Sequence, residues 1–213
     1  MRNVAIFIPA LISLLIAGCA HPELFGKERI SVGTVGVNRS LDFTGGHFDD
    51  NLVVDVDENG IVILSAQKDK ENIFIYLSPA AQEKLREMLK ESIQQGYLAD
   101  RQRMDVQKPL GHLRTKVGDY GWPTDLVMQF YTIKSGTIWN VSLEFCYMKP
   151  EEFQGSSKDK IKQCEKSMAL YLTEFSAIQL RDCLSLASDY ARRRKSPEPP
   201  PAPAPQPTAP KSK

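Results

Sequence analysis

The sequence predicts an α+β fold: an antiparallel β-sheet built from hairpins, with a mid-chain helix and a long C-terminal helix packed on it. Three observations carry this expectation. Alternating apolar runs flank two turn-forming stretches, Asn59-Gly60 and Lys134-Ser135-Gly136. Two other segments repeat their apolar residues at helical spacing. The order is strands, helix, strands, helix with short joins, which favours antiparallel pairing over crossover units. No internal repeat is read.

The first strand signals are short β-prone runs at 30–37 and 41–44, interrupted by Gly33 and Gly36. Residues 51–57 and 61–66 then flank Asn59-Gly60, a dipeptide suited to the two positive-φ sites of a type I′ turn. A two-residue loop there places Val56 opposite Ile63, with Val54 and Ile61 on one face. Ile73, Ile75 and Leu77 extend the alternation into another strand.

Ser78 is suited to cap a helix and Pro79 to begin it. Ala81, Leu85, Met88, Leu89 and Ser92 form its apolar stripe, and Gly96 is its expected C-cap. Residues 98–124 show no clear period. A second hairpin, 125–133 with 137–145, sets Trp139, Val141, Leu143 and Phe145 on one face. From about residue 158 to 194 the pattern is helical, with Ile161, Cys164, Met168, Tyr171, Phe175 and Ile178 as its stripe.

The ends are different in kind. Arg2, an apolar run from Val4 to Ile16, and Ala17-Gly18 before Cys19 form the three regions of an export signal. The run is shorter than the roughly 20 residues a membrane span needs. Leu15-Ile16-Ala17-Gly18-Cys19 resembles the lipobox of bacterial lipoproteins. The resemblance implies that Cys19 is diacylglycerol-modified, becomes the first mature residue and is N-acylated. Ala20, rather than Asp, implies the outer membrane, with the protein facing the periplasm. Several acyl chains would make attachment effectively permanent.

Eight of the 14 prolines fall between Pro197 and Pro210. That density excludes helix and sheet interior and predicts a disordered, polyproline-like tail. The organisation is therefore a signal peptide at 1–18, a lipidated tether at 19–27, one domain at 28–195 and a Pro-rich tail at 196–213.

The formal charge of the whole chain, +1, hides a division. Residues 192–213 carry six basic residues and one acid, whereas 19–191 carry 20 basic and 25 acidic residues. An acidic body with a basic arm suits anionic lipid or peptidoglycan carboxylates. An exported protein gives no reason to expect nucleic acid.

Candidate sites are few. Asp55, Asp57 and Asn59 match the start of a calcium loop, but Ala66 stands where its closing glutamate belongs and the flanks are strands. A hairpin turn explains the same residues, so no metal site is assigned. His47, beside Asp49 and Asp50, reads as part of a polar loop between strands. Among the cysteines of an oxidising compartment, Cys146 and Cys164 have the shortest connection. In one straight helix Cys164 and Cys183 would stand about 28 Å apart, too far for a bridge. Cys183 is the spare, buried thiol.

Tyr120 and Trp122, either side of Gly121 and before Pro123, form a possible ligand-contact loop. The segment before them is basic through Arg101, Arg103, Lys108, Arg114 and Lys116. No phosphate-binding glycine loop, serine elbow or dinucleotide fingerprint is present. The expectation is a non-catalytic envelope lipoprotein without cofactor, binding an envelope protein or peptidoglycan. The alternatives are a glycan-binding module using Tyr120 and Trp122, and an envelope hydrolase.

Overall fold

The computed structural model describes residues 28–41, 46–68, 71–118, 121–146 and 167–195. The expectations for the signal, Cys19, the tether 19–27, Tyr120, Cys164 and the tail at 196–213 lie outside them.

The strands are β1 (Arg29–Leu41), β2 (Gly46–Asp57), β3 (Val62–Lys68), β4 (Glu71–Leu77), β5 (Gln107–Val117), β6 (Trp122–Ile133), β7 (Ile138–Cys146) and β8 (Ser167–Thr173). Helix α1 (Pro79–Gln102) follows β4, and helix α2 (Glu174–Lys195) follows β8. Every strand pairs antiparallel with its chain neighbour, and β8 returns to β1, closing an eight-stranded barrel. This corrects the expected α+β sheet. Both hairpins and both helices exist, but the sheet has no free edges, because Asn38 to Leu41 pair with Met168 to Tyr171.

β8 is the strand that closes the barrel, and it was expected to be helix. Met168, Leu170 and Leu172 also fit a two-residue period, and all three are buried opposite Phe145, Leu143 and Val141. Two open strand edges outweigh a helical stripe. The helix begins only after Thr173, whose hydroxyl accepts from the Ser176 amide. Its apolar face is Ala177, Leu180, Cys183, Leu184 and Ala187, whereas Phe175 is 69% exposed.

Other differences are local. β1 is one strand, with an extra residue, Val32, bulged between Ser31 and Gly33. The expected polar loop around His47 is strand from Gly46 onward. α1 starts as expected, with the Ala81 amide donating to Ser78 Oγ, but runs through Gly96 to a left-handed Arg103. β5 fills a region without a clear period. Pro109 and a bulge at Leu110 blur its start, and only Leu113, Thr115 and Val117 alternate cleanly inward. At Asn59-Gly60 only Gly60 has positive φ (79°), and its amide donates to Asp57 O at 3.0 Å. The longer turn pairs Val56 with Val62 and moves Ile63 opposite Asp55.

The second half repeats the first. Each half is four strands and a helix, and each begins with a bulged strand: Ser31-Val32-Gly33 in β1, Pro109-Leu110-Gly111 in β5. In each half the fourth strand leads into the helix through matching residues: Tyr76-Leu77-Ser78 and Tyr171-Leu172-Thr173. Leu85-Arg86-Glu87-Met88-Leu89 then stands where Leu180-Arg181-Asp182-Cys183-Leu184 stands. The absence of a repeat in the sequence reading is therefore also corrected. The matches are scattered over strands with unequal joins, so no fixed period runs through them.

One apolar core fills the barrel and reaches under both helices. Leu64, Ile75 and Val117 run across β3, β4 and β5, and Met128, Leu143 and Leu170 across β6, β7 and β8. The exposed positions in the second half of β5 are polar, His112, Arg114 and Lys116. A membrane-spanning barrel has the opposite polarity, apolar outside and polar within. Among the described residues no helix is long and apolar enough to cross a membrane.

Candidate functional site

The two halves meet at two seams, and they are not alike. At the β8–β1 seam four consecutive residue pairs join the strands. At the β4–β5 seam only Ile75 with Val117 and Tyr76 with Lys116 do so. Proline is the cause on one side: Pro79 starts α1 directly after Ser78, so β4 stops at Leu77. On the other side Gly118, with φ 73°, turns the chain and donates its amide to Phe74 O at 2.9 Å. Beyond Lys116 the two strands separate.

A cleft of about 480 Å³ occupies the gap, lined by Asp57, Asn59 and Ile61 on the β2–β3 turn, and by Tyr76, Ser78, Arg114, Thr115, Lys116 and Pro123. The turn side is braced from below. Buried Gln82 donates from Nε2 to Gly60 O at 2.7 Å and to Leu77 O at 2.9 Å. Asp57 Oδ1 accepts from the Asn59 and Ile61 amides at 2.9 and 2.8 Å, so this carboxylate shapes the turn. Across the seam, Thr115 Oγ1 donates to Tyr76 O at 2.6 Å.

The opposite wall is cationic. Arg114 and Lys116 take successive outward positions on β5. Buried Asp125 holds Arg114 Nη1 at 3.0 Å, which fixes the guanidinium on the barrel surface. Two cations beside hydroxyl and amide groups, over a floor including Tyr76 and Pro123, suit an acidic group carried on a partly apolar partner.

The counterpart seam carries different chemistry. By register Tyr131 stands where Asp57 stands, since Phe130 pairs with Val141 as Val56 pairs with Val62. Tyr171 stands in the place of Tyr76. Burial first, and then Tyr171 and Glu144, push the Tyr131 phenol above its usual range. An aromatic ring thus replaces the carboxylate-braced turn.

Of the sites expected from sequence, Asp57 and Asn59 line the cleft, while Asp55 faces Ile63 on the strand. Trp122 begins β6 opposite Val117, next to the cleft residue Pro123; of Trp122 only the backbone is described. Tyr120 lies outside the described residues. Cys146 is disulfide-bonded, and its partner lies outside the described residues, whereas Cys183 is free and buried. Burial first, then Asp182, raises the Cys183 thiol above its ordinary range. Among the described residues no three His, Cys, Asp or Glu side chains converge as metal ligands. The sequence marked Arg114 and Lys116 only as part of a basic stretch; their alternation with Leu113, Thr115 and Val117 is the signal that puts them on one face.

Comparison of the chain with protein-family models, curated proteins and solved structures finds no match.

Proposed function

We propose that this is a lipid-anchored envelope lipoprotein, held at Cys19 in the outer membrane, whose barrel works by binding in the periplasm rather than by catalysis. The β4–β5 cleft is its contact site, and the group it takes is a carboxylate of peptidoglycan or of an envelope protein. The observation that carries this reading is the pair Arg114 and Lys116 on one wall of the cleft. The lipobox resemblance supports the anchor, and the chain runs on past the domain into a basic, Pro-rich arm. With Cys19 acylated and Cys183 free, Cys164 is the partner this reading gives to Cys146.

Exposed cations contribute mainly to encounter rate and orientation, so the interaction weakens with salt. The test is pelleting of the protein with purified peptidoglycan, together with photo-crosslinking from position 59 in intact cells. Charge reversal at both Arg114 and Lys116 is expected to cut peptidoglycan recovery or the crosslinked adduct at least about tenfold. Unchanged recovery and an unchanged adduct would reject the cleft.

The position of Trp122 beside Pro123 favours one variant of this reading, in which an aromatic ring stacks on a sugar next to the acidic group. Trp122→Ala then lowers pelleting while a free carboxylate still competes.

A further inference from the structure

We infer that the C-terminal end of α2 is the face on which the domain rests against an anionic phospholipid surface, beside its own lipid anchor. The inference rests on the reading of Cys19 as the acylated residue. Glu28 is ion-paired with Arg194 in the last turn of α2. Nine residue steps lead from Cys19 to Glu28. At no more than about 3.5 Å each they keep Glu28 within roughly 30 Å of the acylated residue. The ion pair extends that limit to the end of the helix. Ala191 packs on Gly60, so the turn bordering the cleft lies at the same end.

Charge then decides what this end meets. Arg192, Arg193 and Arg194 are exposed on the last turn, and Lys195 follows them. Lys27 and Arg29 flank Glu28 in sequence. Against these six stand four acids: Asp189, 3.6 Å from Arg192, Glu28, Glu58, which acts on Arg194, and Asp57, the buried strand partner of Arg29. The excess is positive. Glu174, in the first turn of α2, lies about 30 Å from Arg194 along the axis. Screening limits surface attraction to roughly 8 Å at physiological salt, so only the basic end, kept close by the tether, can use it.

Consequently the Pro-rich arm leaves the domain at the membrane side, and the cleft opens near the lipid surface rather than at the far pole.

The test uses the mature chain, residue 19 onward, carrying Cys19→Ser so that no lipid contributes. It is expected to sediment with vesicles of phosphatidylglycerol and phosphatidylethanolamine, to be released by salt, and to ignore phosphatidylcholine vesicles. Arg192→Glu with Arg193→Glu, both exposed, should leave melting unchanged and weaken sedimentation at least about tenfold. Lys211→Glu with Lys213→Glu should not. No sedimentation, equal sedimentation of the helix variant, or a loss confined to the tail variant would each overturn the inference. Acyl labelling of the unmutated chain is scored separately: a chain that sediments as expected but takes no label keeps the surface and loses the anchor.

Discussion

Cys183 and Met88 hold the same place in the two halves of the barrel, each facing the bulge glycine of the other half. A Cβ on Gly33 would lie 2.5 Å from Cys183 Sγ, and one on Gly111, where φ is 143°, would lie 3.2 Å from Met88 Sδ. The bulge brings the strand backbone against the helix, and only glycine leaves room there. Gly33→Ala is therefore expected to destabilise by about 1–3 kcal/mol through overpacking. Cys183→Ala removes the opposing sulfur, so the double variant should recover much of that loss. Chemical denaturation of the four proteins measures the coupling, and strict additivity would disprove the contact.

Gly96 gives a case in which helix propensity points the wrong way. Alanine should favour an interior helical position by about 1 kcal/mol. A Cβ here would lie 2.3 Å from Trp139 Nε1, inside the barrel core. Gly96→Ala should lower the melting temperature and shift the tryptophan emission. A higher melting temperature would show that Trp139 does not sit on this turn.

Arg39 lies inside the barrel, 1% exposed, with its Nε 3.6 Å from Asp50 Oδ2. Removing Asp50 takes a carboxylate from a buried guanidinium, and removing one partner of a buried pair is costly. Asp50→Ala is expected to cost about 3 kcal/mol, and the apolar double replacement Arg39→Met with Asp50→Leu much less. Urea midpoints for the two variants decide it; equal losses would show that the pair is not coupled.

The raised Cys183 thiol gives a pH dependence with a definite sign. A folded-state value above the ordinary 9.0 means that the unfolded chain releases this proton first. The native state then binds more protons, and stability falls as pH rises. Part of the stability present below pH 9 should be lost above it, and Cys183→Ala should flatten that part of the curve. Identical curves for the two proteins would remove Cys183 from the account.

The disulfide has a direct check. A peptide map without reductant should recover Cys146 linked to Cys164 and leave Cys183 alkylatable only after unfolding. A Cys146–Cys183 peptide would contradict the buried free thiol.

Much of the local structure was legible. Ser78-Pro79 marked the start of α1, the alternation at Trp139, Val141, Leu143 and Phe145 marked β7, and both turn stretches were placed. These signals work because caps, turns and side-chain alternation act within a few residues. The register at Val56 was misread by one residue, because Asn59-Gly60 is compatible with more than one turn and the Asp57 carboxylate selects the longer one.

The rest depended on partners far away in the chain. Ser167–Thr173 reads as helix alone and becomes strand because the edges of β7 and β1 both need backbone partners. Gly96 looks like a helix stop until Trp139 is seen to need the space. The cleft joins Asp57 to Arg114 across the seam between the two halves, residues far apart in sequence. Near-neighbour sterics specify turns, caps and periods. Barrel closure is a competition between unpaired edges distant in sequence, settled by satisfying their hydrogen bonds and burying one common core.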